Sequence, residues 1–224
     1  MKTLIIFLTV LVSLYGFKSY RFLKNNVKKV QKVTFEQQLT TFETLGFKLN
    51  KGIAKENLIS FYGNKSEFEK DPWVLMYTTL GMEIEKEPWT PITDRCWHFD
   101  LEAIEDNGAY VDIMKNISRI TNGELKFENI KDYVDIDNEK AWVSFEINGD
   151  KYKWDLKVDN DWADGALFDK VQDLTAKYKT SGKFTFYGLG QDFILGYETE
   201  ANLKKIKEQT GLKIEWLKAK GHIY

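Results

Sequence analysis

One cysteine, two histidines and three prolines are all that this chain holds of three residue types with large structural roles, and each shortage excludes something. Cys96 has no second thiol, so the disulfide framework that holds many small secreted domains together cannot form within the chain. His98 and His222 stand far apart without cysteine companions and leave no zinc-ligand spacing. No metal and no cofactor is therefore expected. The sequence also lacks G-x-x-x-x-G-K-[ST], G-x-S-x-G and H-E-x-x-H, which removes the common nucleotide-binding and hydrolase signatures. There is no internal repeat, low-complexity run or Pro-rich linker.

Acid is missing from one part of the chain. Residues 1–32 hold seven lysines and arginines and no aspartate or glutamate, which leaves 25 basic against 34 acidic residues, a balance of −9, for the remainder. Such a domain repels nucleic acid and favours a basic protein partner. Thr3 to Phe17 is an uncharged run of fifteen residues, short of the roughly 20 of a typical spanning helix. No A-x-A-like cleavage site follows it, so a retained transmembrane anchor is expected. Beyond it Tyr20, Leu23, Val27 and Val30 recur at helical spacing among lysines and an arginine, the pattern of a basic juxtamembrane helix. Six of the seven cations follow the run, which by the positive-inside rule puts the globular part in the cytoplasm at a single-pass cell-membrane anchor. The expected division is 1–32 as anchor and basic arm and 33–224 as one globular domain, with 33–90 as a possible helical sub-domain.

What is present is apolar residues, 43% of the chain and aromatics prominent among them, enough for a sizeable core. Asn148-Gly149 is a strong two-residue hairpin signal, and taking it as the turn sets Phe145 against Tyr152, Val143 against Trp154 and Ala141 against Leu156 on one face. Glu146 then meets Lys151, Ser144 meets Lys153 and Trp142 meets Asp155 on the other, so alternation and turn chemistry agree. Thr34 to Gln37 reads as a capping box opening a helix that Gly46 ends. Short helices are expected over 54–61 and 65–70, and a helix over 72–81 with Pro72 in its first turn and Gly81 at its end. Pro88 and Pro91 mark a loop. Residues 95–104 alternate as a strand, 110–120 as a helix, 167–178 as a helix with Asp164 at its N-cap, 183–187 and 193–197 as strands, and Thr199 caps another helix before a last strand over 212–217. The fold class is α+β, a mostly antiparallel sheet with packed helices.

Asp155, Asp159, Asp161 and Asp164 surround Trp162, and closely spaced carboxylates can bind a divalent cation or act as an acid and base pair. Counted as an EF-hand from Asp159, the fifth position is Ala163 and the sixth Asp164, where a ligand and a glycine are required, so that loop is excluded. Asx turns and a helix cap account for the same residues. Gly188-Leu189-Gly190 lacks the third glycine of a dinucleotide loop and fits a tight turn that frees Gln191 and Asp192 for polar contacts. Cys96 and His98 share a strand face about 6.5 Å apart at Cα, too far for a direct dyad, and read as a core cysteine beside a hydrogen-bonded histidine. Trp142, on the polar face of the hairpin, is either an interface anchor or core beneath a covering helix.

The series WHFDLEAIEDNGAY (97–110), DNDWAD (159–164), GQD (190–192) and TGLKIEWL (210–217) resembles a family of uncharacterised bacterial proteins, over about residues 70–217. In being small, acidic and α+β the domain is also similar in character to immunity proteins of bacterial toxin systems. The resemblance implies no catalytic residues. Two readings follow from the residues. The first is a membrane-tethered, non-catalytic binding protein, with Trp142, Asp159, Asp161, Trp162, Asp164, Gln191 and Asp192 as candidate binding residues. The second is a hydrolase or metal-assisted enzyme using Asp159, Asp161 and Asp164 with Gln191 and Asp192, which requires the 159–164 turn and the 188–192 loop to meet.

Overall fold

The computed structural model describes residues 32–217; the expected anchor and most of the basic arm lie outside the described residues. Among the described residues no helix is long and apolar enough to cross a membrane. From Thr34 onward the chain is one compact α+β unit.

The capping box forms as expected. The Thr34 hydroxyl accepts the Gln37 N–H, the Gln37 side chain accepts the Thr34 N–H, and α1 runs Phe35–Thr44. Helices α2 (Lys55–Ser60), α3 (Lys65–Lys70) and α4 (Val74–Gly81) follow. Pro72 does not enter the first turn of α4: Trp73 takes the cap position at φ 81°, and its N–H donates to the buried Gln38 side chain at 2.9 Å. The same Gln38 amide donates to the Phe68 carbonyl at 2.8 Å, so one side chain of α1 ties down the turn between α3 and α4. Gly81 is required by proximity, because a Cβ there would stand 2.7 Å from the His98 backbone nitrogen. The expected proline loop contains a small antiparallel pair, β1 (Glu83–Ile84) with β2 (Thr90–Pro91). A two-residue strand is too short to show alternation in sequence.

Strand β3 (Cys96–Asp100) is half the expected length, since the chain turns away at Leu101. Helix α5 (Ala109–Ile120) leads into the meander β4 (Glu128–Asp135), β5 (Lys140–Ile147) and β6 (Asp150–Leu156). The β5–β6 register is the one the Asn-Gly turn dictates, Phe145 opposite Tyr152 and Trp142 opposite Asp155. Helix α6 (Ala166–Lys177), strands β7 (Lys183–Gly188) and β8 (Asp192–Glu198), helix α7 (Glu200–Thr210) and strand β9 (Glu215–Trp216) complete the chain. Thr199 and Gly211 bound α7 as expected, Gly211 at φ 73°. The last strand keeps only two of the six expected residues.

The larger sheet has the order β3-β8-β7-β9 and is antiparallel throughout. Alternation along β8 separates two cores: Phe193, Leu195 and Tyr197 enter one and Ile194 the other. The first core also takes Trp97 and Phe99 of β3, Ile113 and Ile117 of α5, Phe168 of α6 and the inner face of the meander. In the second, Phe42, Leu58, Phe68 and Tyr77 from the N-terminal helices pack with Cys96, Ile194, Ile206 and Ile214. Each such fully buried large apolar side chain contributes roughly 1.5–3 kcal/mol relative to exposure. The helices of residues 33–90 thus share their core with the C-terminal strands.

Candidate functional site

The turn after β6 is built from backbone bonds. The Trp162 N–H donates to the Asp159 carbonyl at 3.0 Å with Asn160 in the left-handed region at φ 52°. Residues 101–104 lie antiparallel along it: the Ala163 N–H donates to the Leu101 carbonyl and the Ile104 N–H to the Asp161 carbonyl, both at 2.8 Å, with Glu102 opposite Trp162. At the β7–β8 turn the Leu189 N–H donates to the Asp192 carbonyl at 2.8 Å and Gly190 has φ 109°. That tight turn presents Gln191, whose amide nitrogen donates to Asp100 Oδ1 and to Glu102 Oε2, each at 2.8 Å. Two amide hydrogens therefore serve two carboxylates. Glu102 is the meeting point: it faces Trp162 of one turn and is held by Gln191 of the other.

The surface so formed is acidic and carries apolar tips. Asp100, Glu102 and Asp159 are exposed, while Trp162 and Leu189 each keep 37% of their surface open to solvent. Asp192 stands 3.2 Å from His98 Nε2. Two carboxylates of the 159–164 turn are engaged. Asp159 meets the Lys157 ammonium at 2.8 Å. Asp164 accepts the Ala166 N–H at 3.0 Å, one residue ahead of the cap position occupied by Gly165, and the Lys157 N–H at 2.9 Å. Its own N–H donates to the buried Tyr110 hydroxyl at 3.2 Å, a phenol that burial pushes up to about 12. Among the described residues no three His, Cys, Asp or Glu side chains gather where they could hold a metal ion.

Trp142 lies elsewhere. Its ring stacks on Tyr133 of β4 at 6.3 Å with 16° between planes, and the Lys153 ammonium of β6 stands 4.4 Å over it. It is half-buried in a cross-strand ladder, neither core nor a bare anchor. Cys96 is fully buried, and burial pushes its thiol well above the usual range, which disfavours the thiolate.

Of the residues singled out in sequence, Trp162, Asp159 and Asp161 come to the same surface as Gln191 and Asp192, through contacts of residues 100–104 with each turn. Asp164 stays behind as a capping group and Trp142 sits on the meander. Asp100 and Glu102 were missed. The available signal was the D-L-E that ends the apolar alternation of β3, where Asp100 also accepts the Glu102 N–H at 2.9 Å. Comparison with family models, with curated proteins and with solved structures finds no match for this chain.

Proposed function

We propose that this chain is a non-catalytic binding protein, tethered to the membrane by its N-terminal segment, that presents an acidic surface with a central tryptophan to a basic protein partner in the manner of an immunity-like inhibitor. The observation that supports this reading is the pair of hydrogen bonds that Gln191 donates to Asp100 and Glu102, which together with the Glu102–Trp162 bridge joins two separate turns in one surface. A partly open tryptophan ringed by carboxylates combines the anchor type enriched at binding hot spots with a field that steers cations toward it. Fixing the carboxylates beforehand removes part of the ordering cost of association. The hydrolase or metal-assisted reading has less support, since Asp164 is spent on two backbone N–H groups and Asp159 on Lys157.

The test is a pull-down from the native host with the full-length chain at low and high salt, beside Trp162→Ala and Glu102→Lys variants. One basic partner retained by the wild type, weakened by salt and lost with either variant is the expected result. No enriched protein at either salt, or equal capture by Glu102→Lys, would remove the proposal.

A further inference from the structure

A second surface, made of different residues, closes the opposite end of the sheet order. Among the described residues strand β9 pairs only with β7, Trp216 opposite Thr185 and Glu215 opposite Phe186, and the larger sheet ends there. The Leu217 N–H donates to the Phe184 carbonyl at 2.9 Å. Because backbone groups in an antiparallel ladder turn alternately toward and away from the partner, the N–H and C=O of Trp216 point outward. They form a free edge, the part of a sheet that templates another strand.

Helix α7 gives this edge a wall. Leu203 and Ile206 face the core, and Asn202 on one flank donates to the Leu45 carbonyl and to Glu198. The other flank, Glu200, Lys204, Lys207 and Glu208, borders with Trp216 a groove of about 510 Å³. Its floor is Leu203 and the half-buried Trp216 ring, with the Lys183 ammonium 5.7 Å from that ring. Lys183 pairs with Glu200 at 3.5 Å and Lys204 with Glu208 at 3.9 Å, while Lys207 makes no ion pair among the described residues. Here Lys183, Lys204 and Lys207 stand against Glu200 and Glu208, a local excess of one positive charge, whereas beyond residue 32 the chain has a balance of −9, so an acidic segment is repelled by most of the surface and least here.

We propose that this groove takes an extended acidic segment of a partner protein, which adds to β9 as a fifth strand, lays one apolar side chain against Trp216 and Leu203 and directs a carboxylate to Lys207. Main-chain bonds to the edge supply affinity, and the apolar slot with its lysine supplies selectivity.

The probe is a fluorescein-labelled heptapeptide of alternating valine and glutamate, titrated into the full-length chain in mild non-ionic detergent and followed by anisotropy at low salt. Amide shifts are recorded by NMR on the same sample. The glutamate peptide should bind and shift the amides of residues 214–217. Lys204→Gln combined with Lys207→Gln, two exposed changes on the outer flank of α7 that add no like-charge pair, should weaken it several-fold and leave the melting temperature in place. An alternating valine and lysine peptide, and the glutamate peptide N-methylated at alternate residues, should both fail. Absence of binding by the glutamate peptide, equal binding of the lysine or N-methylated peptide, or shifts centred on Trp162 in place of β9 would each overturn the assignment.

Discussion

Helix α5 begins without a cap of its own, and removing the group that stands in for one gives a measurable consequence. Gly108 occupies the cap position at φ 107° and has no side chain to offer. The carboxylate of Asp132, on β4, does the work from outside: it accepts the Gly108 N–H at 2.9 Å, the Tyr110 N–H at 3.0 Å and the Val111 N–H at 3.2 Å. Asn107 answers in the other direction, accepting the Val134 N–H at 2.8 Å, so helix and strand are tied twice. Loss of a cap costs about 0.5–2 kcal/mol, and loss of a negative charge at a partly buried helix N-terminus costs up to ~2 kcal/mol more. Asp132→Ala is therefore expected to destabilise the protein by about 2–3 kcal/mol, or roughly 5–10 °C in melting temperature for a domain of this size. Asp132→Asn keeps one acceptor oxygen and loses the charge, and about 1 kcal/mol is expected. Differential scanning calorimetry with urea titration at neutral pH measures both. If the alanine variant melts within a degree of the wild type, or the asparagine variant is as damaged as the alanine one, the carboxylate is not the cap of α5.

Gln38→Leu should cost about 2 kcal/mol in urea unfolding, because it leaves the Trp73 N–H and the Phe68 carbonyl without their buried partner; an unchanged midpoint and slope would refute that role. Burial lifts the Glu198 carboxyl above its ordinary 4.5, against the opposing pull of Arg95 at 2.5 Å and of Asn202. The unfolded chain therefore releases this proton first as pH rises, so its contribution to stability is complete below 4.5 and is lost as pH climbs through the raised native value. The stability difference between wild type and Glu198→Gln should accordingly shift in favour of the variant from acidic to neutral pH, and a flat difference would contradict it. Deleting residues 1–32 should move the protein from the membrane to the soluble fraction with its circular dichroism intact, since every core residue among the described ones lies beyond the deletion; expression of the full-length chain that yields soluble protein with residues 1–17 removed would defeat the anchor.

The parts of the fold legible in sequence are those whose determinants lie within one or two turns of chain. Asn148-Gly149 sets a register that alternation on both strands repeats, and Thr34 and Gln37 satisfy each other three residues apart. The reading weakens where the determinant is distant. Nothing near Gly108 announces that α5 is capped by a residue 24 positions later. Strands β1, β2 and β9, two residues each, carry no period. The candidate site was half legible for the same reason: local composition marked Trp162 and Gln191 and their neighbouring acids, whereas Asp100, 91 residues before Gln191, enters only through a sheet pairing that no local pattern encodes. Trp142 was placed on the correct face by the hairpin register, but its Tyr133 partner belongs to a third strand whose bulge between Glu128 and Lys131 disturbs simple alternation.

The strand order β3-β8-β7-β9 also bears on how the chain can be made. Among the described residues the only partner of β3 in the larger sheet is β8, which pairs His98 with Ile194, and the second core needs Ile206 and Ile214 as well. A ribosome delivers the N-terminal end first. Helices α1 to α4 therefore emerge with their apolar faces uncovered and wait for nearly the whole chain before the surface they pack on exists. Such long-range closure slows folding and lengthens exposure to aggregation. A chain stopped after Thr180 should consequently be captured by chaperones or precipitate, even though it contains most of the helices and the complete meander.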